Sequence, residues 1–377
     1  MKISRRNFFM SSSAMSFAVL QEKTLYKINN QDEIFILIFA KGGLDGLHFV
    51  APAGDKNYIQ ARPKLALDIK GDNAALKMRN GIADEKFYMN AHGQELYELY
   101  NQGELSIIHA TGSIHTKNSH FEASCHLMGN TTNTQSAEPN SWLSKHLKRC
   151  YSKHQSIPIG LSSAKAQYIL DRGFEKIDLT SNRETKDIIK NIIQDPSRPT
   201  EKNTTAYTNG PLSNSLKNLA KLINNEVDLK AAVINHNGWD HHNNLELGFA
   251  QQLKELSKSL SAFWSDIRLH QKRVNVIVMT EFGRQVYENR SSGTDHGTGS
   301  VITVLSKNTN GGKMYGTWPG LHSDSLVLGG LQATTDYRVV ISEILIKRFN
   351  ETSIESIFPN LRYNPLNFMK SGERLSA

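Results

Sequence analysis

The stretch Ile34-Phe35-Ile36-Leu37-Ile38-Phe39, followed by Lys41-Gly42-Gly43, predicts the centre of the fold. A continuous run of β-branched and aromatic residues is typical of a strand of a parallel sheet that is buried on both faces. The glycines end this strand, so Asp45 follows at its carboxyl end. Because ligands of open α/β sheets bind outside the carboxyl ends of the strands, Asp45 is the first candidate site residue.

Similar apolar runs predict further strands at residues 105–110, 231–235, 274–280 and 301–305. Residues 157–161 are a weaker strand candidate, because Pro158 cannot donate to a strand ladder and suits only an edge strand or the start of a strand. Apolar residues at steps of three or four predict helices over 245–267 and 337–349. Strands that alternate with helices predict an α/β fold, with a mostly parallel central sheet and helices on both faces.

Residues 31–377 are expected to form a single domain. A polar segment at 181–209, rich in Thr, Asn and Lys, predicts a surface insertion or connection, and residues 51–92 predict irregular structure. Cys125 and Cys150 either form one disulfide or remain free, since their spacing fits both.

The N-terminus resembles an export signal. Ser4-Arg5-Arg6-Asn7-Phe8-Phe9 has the paired arginines and bulky apolar residues of a twin-arginine signal, and a weakly apolar segment follows to Leu20. Residues 1–30 are therefore predicted to be a signal and a short linker. This predicts passage through the twin-arginine translocase to the periplasm or the outside of the cell.

The composition excludes several classes of protein. A hydrophobic content of 38% and a charged content of 21% fit a globular chain, and no apolar run reaches the roughly 18–20 residues of a transmembrane span. The net charge is +8, and loss of Lys2, Arg5 and Arg6 would leave about +5. This mild excess favours anionic small ligands, and the scattered basic residues do not indicate nucleic-acid binding.

Two stretches combine carboxylates with imidazoles: Gly238-Trp239-Asp240-His241-His242 and Thr294-Asp295-His296-Gly297. Carboxylate and neutral imidazole are ligands of zinc, manganese and similar ions. Asp240 and His242 can chelate from one loop, whereas His241 either points elsewhere or supplies a third ligand. The alternative is that Asp240 or Asn243 caps the next helix and the histidines are exposed.

Two further stretches add candidate reactive groups. Ser119 lies between imidazoles and near a carboxylate, so it is a candidate nucleophile, although it could equally cap the next helix. After the predicted strand 274–280, Glu281 could bind a metal ion and Arg284 could hold an oxyanion, or the two could form an internal ion pair.

These motifs resemble, in order, those of the twin-arginine-exported family catalogued as domain of unknown function 1501. The resemblance covers residues 35–349. Its carriers are Gly42-Gly43-Leu44-Asp45-Gly46-Leu47, Ala61-Arg62-Pro63, Ser119-His120-Phe121-Glu122-Ala123, Gly238-Trp239-Asp240-His241-His242, Thr280-Glu281-Phe282-Gly283-Arg284, Gly293-Thr294-Asp295-His296-Gly297 and Tyr315-Gly316-Thr317-Trp318-Pro319-Gly320. The family is similar to the alkaline phosphatase and sulfatase superfamily, which has an α/β sheet and usually a two-metal site.

The resemblance implies roles for single residues. Asp45 matches the first acidic metal ligand, Asp240 and His242 the acid and histidine of one metal site, and His296 the histidine that completes it. Ser119 matches the nucleophile. Glu281 lies where the superfamily has an Asp-His pair, and since Phe282 replaces the histidine, one metal site is weakened unless Asp295 or His120 substitutes.

Two functions are consistent with these residues. The first is an exported metal-dependent hydrolase of phosphate or sulfate esters, with one or two zinc or manganese ions, Ser119 as nucleophile, and Arg284 or Lys117 holding the substrate oxygens. The second is a non-catalytic exported protein of the same fold that retains metal and binds a ligand or a second exported protein.

Overall fold

The computed structural model describes residues 32–82, 86–113, 119–129, 141–151, 160–162, 207–224, 226 and 229–372. The predicted signal at 1–30, Lys117 and most of the predicted insertion at 181–209 lie outside these ranges. Within them, every helix is too short or too polar to traverse a lipid bilayer. Cys125 is a free thiol in this part of the chain, and the side chain of Cys150 is not described.

The strands of the described residues are β1 (Ile34–Lys41), β2 (Val50–Ala51), β3 (Leu76–Lys77), β4 (Tyr88–Met89), β5 (Leu105–Gly112), β6 (Gly160–Ser162), β7 (Ala231–Asn237), β8 (Val274–Met279), β9 (Ser300–Leu305), β10 (Met314–Tyr315), β11 (Leu326–Val327), β12 (Gly330–Leu331) and β13 (Thr335–Asp336). The helices are α1 (Gly46–Phe49), α2 (Lys56–Ala61), α3 (Gln94–Asn101), α4 (His120–Leu127), α5 (Trp142–Tyr151), α6 (Pro211–Asn224), α7 (Leu245–Asp266), α8 (Tyr337–Phe349) and α9 (Ile354–Ile357). Short 3-10 turns lie at Ala91–Gly93, Gln271–Arg273 and Ser323–Ser325.

The central sheet has the strand order β10-β5-β9-β8-β1-β7-β6, and β13 also pairs with β5. β1 is parallel to both of its neighbours, β7 and β8, and β6 is parallel to β7 at the edge. The predicted α/β class with a mostly parallel sheet is confirmed. The predicted strand at 157–161 corresponds to β6 at that edge, which begins at Gly160.

Successive side chains of β1 point to opposite faces of the sheet, and both faces are buried, which explains why its sequence is apolar throughout. Ile34, Ile36 and Ile38 pack into one core with α6 and α7, whereas Phe35, Leu37 and Phe39 pack into a second core with α8. Both faces of the strand are therefore covered by helices. Complete burial of each such side chain contributes about 1.5–3 kcal/mol, so this strand strongly stabilises the sheet.

β9 differs from the expectation that its apolar run forms a parallel strand like β1. It is antiparallel to both β5 and β8. The reason lies in residues 280–299, which return from the end of β8 to the start of β9 without a helix. A parallel crossover usually needs a helix, whereas a direct return gives an antiparallel neighbour. This return carries the candidate site residues Glu281, Arg284, Asp295 and His296.

Residues 51–92 were predicted to be irregular, and they instead contain α2, part of a small three-stranded sheet in the order β2-β4-β3, and the 3-10 turn at Ala91–Gly93. The chain between these short elements is nonetheless mostly turns and bends. The segment packs beside the carboxyl edge of the central sheet and brings Arg62 to Asp45.

Candidate metal centre

The carboxyl ends of β1, β7 and β8 lie side by side at one edge of the sheet. Lys41 pairs with Asn237 at the end of β7, and Phe39 pairs with Met279 at the end of β8. The segments that follow these strands therefore start within reach of each other. Glu281 shows this directly, because its Oε1 accepts a hydrogen bond from the backbone N–H of Gly42 at 2.9 Å.

Two glycines let these segments cross at close range. Gly42 has a φ of +124°, and a Cβ atom there would lie 2.5 Å from the backbone nitrogen of Asp240. A Cβ at Gly293 would lie 2.3 Å from the backbone carbonyl carbon of His242. Only glycine allows both approaches, so these positions set how near the loops after β1, β7 and β8 come to one another.

Trp239 anchors the loop after β7. Its side chain is fully buried, packs against Phe249 of α7, and lies with its indole N–H 3.3 Å from Nδ1 of His236. The ring of His241 packs against Phe249 and Gly248 instead. This leaves Asp240 and His242 as the two candidate ligands of this loop.

Four side chains converge at this edge: His120 at the start of α4, Asp240 and His242 after β7, and His296 before β9. Ligand atoms of His120, Asp240 and His296 all lie within 4.8 Å of one another. His242 joins them, because its Nε2 lies 3.0 Å from Nε2 of His296 and 3.1 Å from Oδ1 of Asp240.

The spacing of these donors fits a metal ion. Nε2 of His120 lies 3.3 Å from Oδ2 of Asp240, and Nε2 of His296 lies 3.6 Å from Oδ1. Donors of a tetrahedral zinc ion, at bonds of about 2.0–2.1 Å, are separated by roughly 3.3 Å. The four measured separations bracket that value. His120, Asp240 and His296 therefore form a group that could hold a metal ion, and His242 lies close enough to Asp240 and His296 to be a further candidate ligand.

Two carboxylates orient the histidines. Nδ1 of His120 donates to Oε1 of Glu281 at 2.7 Å, and Nδ1 of His242 donates to Oδ1 of Asp295 at 2.8 Å. A proton on Nδ1 leaves the Nε2 lone pair available for a metal ion, which is the usual arrangement of metal-binding histidines. Nε2 of His120 is buried and makes no hydrogen bond within the described part of the chain.

The pKa shifts of His120 and Asp240 follow from the hydrogen bonds of this site. The hydrogen bond to Glu281 raises the pKa of His120, so a proton competes with a metal ion for Nε2. Burial alone would raise the pKa of Asp240, but the hydrogen bond and charge of Arg284 and the neighbouring imidazoles hold it below its usual value. Asp240 is therefore ionised and ready to bind a cation.

The site has a closed side and an open side. The ring of Phe282, which is 5% exposed, packs against His120 and His296 at centroid distances of 4.8 and 4.7 Å. On the other side, the side chains of Asp240 and His242 are 46% and 42% exposed. A ligand can therefore reach the donors from solvent at the side of Asp240 and His242.

Arg284 is buried behind Asp240 and contacts three loops. Its Nε donates to the carbonyl of Gly43 at 2.8 Å and its Nη1 to the carbonyl of Thr294 at 2.8 Å. Its Nη2 donates to the carbonyl of Gly42 and to Oδ1 of Asp240. The guanidinium thus binds the protein itself, which differs from the expected contact with an oxyanion.

Asp45 lies beside the cluster but faces away from it. It is 2% exposed, and Nη2 of Arg62 lies 3.0 Å from its Oδ2. Thr294 also donates to Oδ2, at 2.9 Å, and the backbone N–H of His48 donates to Oδ1 at 3.0 Å. The carboxylate expected to bind metal is thus occupied by an arginine, a hydroxyl and an amide.

Ser119 precedes His120 at the start of α4. It is exposed and has extended backbone angles, and its side chain makes no capping hydrogen bond. The alternative in which Ser119 caps α4 through its hydroxyl is therefore not what the structure shows. The hydroxyl is adjacent in sequence to a candidate metal ligand and is open to solvent.

Sequence reasoning gave no role to Arg62 and Thr294. Both lie in stretches that carried the family resemblance, Ala61-Arg62-Pro63 and Gly293-Thr294-Asp295-His296-Gly297. An arginine flanked by small and rigid residues after a short helix is the one sequence signal that could have pointed to Arg62. Its partner, 17 positions earlier, is not predictable from spacing.

Residues 177–343 match the family model described as Protein of unknown function (DUF1501). This confirms the family predicted from the sequence, over a shorter stretch than residues 35–349. No curated protein matches the chain.

Solved structures similar to the chain include the C-terminal periplasmic domain of EcEptC from Escherichia coli in complex with Zn. It is 10% identical, with 74% of this chain and 75% of that chain covered and a TM-score of 0.37. The lipoteichoic acid synthase LtaP from Listeria monocytogenes is also 10% identical, with coverages of 80% and 74% and a TM-score of 0.35.

Proposed function

We propose that this chain, whose residues 177–343 belong to the family described as Protein of unknown function (DUF1501), is a metal-dependent hydrolase of phosphate or sulfate esters. The ligands of its divalent ion are His120, Asp240, His242 and His296. The observation that carries the proposal is the convergence of their donor atoms at spacings of 3.0 to 3.6 Å, with carboxylates on the Nδ1 atoms of two of the histidines.

Each neighbouring side chain has a defined part in this proposal. A bound zinc or manganese ion would supply a Lewis acid that polarises an ester oxygen and stabilises an alkoxide. Glu281 and Asp295 keep the Nδ1 protons of His120 and His242 in place, so that their Nε2 atoms face the ion. Phe282 excludes water from the inner side, and Arg284 holds the carboxylate of Asp240.

Ser119 is the proposed nucleophile. Its hydroxyl is exposed and makes no capping bond, and it precedes the ligand His120 by one position. The N-terminus of α4, eight residues long, also favours the negative charge of a phosphate or sulfate group. Lys117, which is expected to hold the substrate oxygens, remains part of the proposal.

Replacement of Ser119 tests this assignment. Ser119→Ala should lower the hydrolysis of aryl phosphates or sulfates by about 10³-fold or more, because loss of a nucleophile removes the covalent route. The zinc content should stay at the parent value, since Ser119 is not among the four ligands. The exposed Ser323→Ala is the matched control, with parent activity expected. Hydrolysis by Ser119→Ala at the parent rate would refute the nucleophile.

A second candidate function has an observation of its own. Arg284 directs hydrogen bonds from all three of its guanidinium nitrogens to the protein, so it is not positioned to bind an oxyanion. This favours a non-catalytic protein that retains metal and binds a ligand or a second exported protein. A parent protein that binds zinc but hydrolyses none of a broad panel of phosphate and sulfate esters would support this second function.

Export by the twin-arginine translocase to the periplasm or the cell exterior remains a proposal for both functions. Its support is the sequence Ser4-Arg5-Arg6-Asn7-Phe8-Phe9 and the weakly apolar segment that follows.

A further inference from the structure

Asp45 is a buried carboxylate that already accepts three hydrogen bonds from the protein. Oδ2 accepts from Nη2 of Arg62 and from the hydroxyl of Thr294, and Oδ1 accepts from the backbone N–H of His48. A carboxylate has about four acceptor positions, so little capacity is left for a metal ion. Burial opposes ionisation of Asp45, but the charge and hydrogen bond of Arg62 outweigh it and lower the pKa of Asp45.

Arg62 is held in place independently of Asp45. Its Nε donates to the carbonyl of Val286 and its Nη2 to the carbonyl of Gln285, both at 2.9 Å. The side chain is fully buried. Because two backbone carbonyls of the β8–β9 return fix the guanidinium, a positive charge is present beside Asp45 whether or not a metal ion is bound.

A second arginine stands between Asp45 and the four-donor cluster. Thr294 donates to Asp45 through its hydroxyl and accepts from Nη1 of Arg284 through its carbonyl. Arg284 in turn donates to Asp240. Arg284 thus connects Thr294 to the four-donor cluster, whereas Arg62 is the guanidinium in direct contact with Asp45, and its charge would oppose a divalent ion placed at Asp45.

We propose that Arg62 is the permanent counter-charge of Asp45, which takes this carboxylate out of the metal ligand set, and that the centre binds one divalent ion per chain. This inference rests on the proposed metal centre at His120, Asp240, His242 and His296.

The experiment measures metal stoichiometry in the purified chain. The protein is stripped with a chelator, loaded with zinc or with manganese, freed of excess metal, and analysed by elemental analysis and native mass spectrometry. One ion per chain is expected with either metal. Two ions per chain would overturn the inference and leave the proposed function intact, whereas the absence of any bound ion would overturn the proposed metal centre itself.

Two matched variants locate the ion. Asp45→Asn keeps the shape of the side chain and should keep the zinc affinity within about threefold. Asp240→Asn should lower zinc affinity by more than about 100-fold, since loss of an outer partner alone typically costs 10–100-fold. An equal loss of affinity in both variants would overturn the inference. Circular dichroism confirms that each variant is folded, and the stoichiometry of the parent decides the question even if Asp45→Asn does not fold.

Discussion

At the scale of single residues, the protons on two histidines decide what the site can bind. The carboxylates of Glu281 and Asp295 place these protons on Nδ1 of His120 and His242. Glu281 is fixed more firmly, because it is buried and also accepts from Gly42 and Thr280. Asp295 is about half exposed, so water competes for its hydrogen bonds.

Glu281→Gln should therefore weaken metal binding. The amide keeps the volume of the side chain but removes the negative charge and part of the acceptor capacity that holds the Nδ1 proton of His120. We expect zinc affinity to fall by about 10–100-fold, the usual effect of losing an outer partner of a histidine ligand. Isothermal titration with a competing chelator measures this change.

The control for Glu281→Gln is Glu246→Gln, an exposed glutamate in the first turn of α7, which should bind zinc like the parent. Asp295→Asn should lower zinc affinity less than Glu281→Gln does, because the side chain of Asp295 is about half exposed. Parent-like affinity in Glu281→Gln would show that this carboxylate does not orient His120.

At the scale of elements, a buried carboxylate joins α5 to the turn after α8. Glu351 accepts from Nδ1 of His146 at 3.3 Å, from Nε of Arg149 at 3.1 Å and from the backbone N–H of Ser353 at 3.0 Å. The hydrogen bond to His146 is the main cause that lowers the pKa of Glu351, from 4.5 to about 2. The link thus depends on an ionised carboxylate.

This link predicts a dependence of stability on pH. The pKa of Glu351 is lower in the folded protein than in the unfolded chain. The contribution of Glu351 to the free energy of unfolding is therefore complete above pH 4.5 and disappears as the pH falls through about 2. Glu351→Gln should lower the free energy of unfolding by about 1–3 kcal/mol at pH 7. The difference in the free energy of unfolding between Glu351→Gln and the parent should decrease between pH 4.5 and 2.

Urea unfolding at pH 7, 4.5 and 3 measures the effect of Glu351→Gln. The exposed Glu355→Gln in α9 is the control, with parent stability expected at each pH. A stability difference for Glu351→Gln that stays constant down to pH 3 would show that the carboxylate is not the titrating partner of α5.

At the scale of the whole molecule, the proposed metal ion would connect three distant parts of the chain. His120 begins α4, Asp240 and His242 follow β7, and His296 precedes β9. These segments belong to the folded state only, so the unfolded chain does not present the same donor set. A ligand that binds only the folded state raises its stability by mass action.

Zinc should therefore raise the Tm of the chelator-stripped protein. At a free zinc concentration of 100 times Kd, zinc binding adds about 2.7 kcal/mol to the free energy of unfolding, which corresponds to a rise in Tm of about 3–6 °C. Differential scanning calorimetry measures the shift. Asp240→Asn should show almost none, and an equal shift in that variant would mean that zinc binds elsewhere.

Much of the molecule was predictable because it depends on local pattern. The apolar run of β1 predicted a strand buried on both faces, and its glycines predicted where it ends. Parallel strands then predicted that Asp240 and Glu281 meet at one edge by topology alone. His296 reaches that edge because β9 is antiparallel, so that the chain before β9 lies where the parallel strands end. His120 was foreseen only as a substitute ligand, because its place depends on how α4 packs against that edge.

The amino-acid sequence by itself determined the strands, the covering helices and the edge at which the polar residues meet, since these follow from hydrophobic period and from chain direction. Only the tertiary structure decided which charges pair. It paired Asp45 with Arg62, directed Arg284 to four backbone carbonyls and Asp240, and made β9 antiparallel. The physical reason is that a hydrogen bond depends on the distance and angle between two atoms, and residues 17 or 44 positions apart acquire that geometry only when the loops pack together.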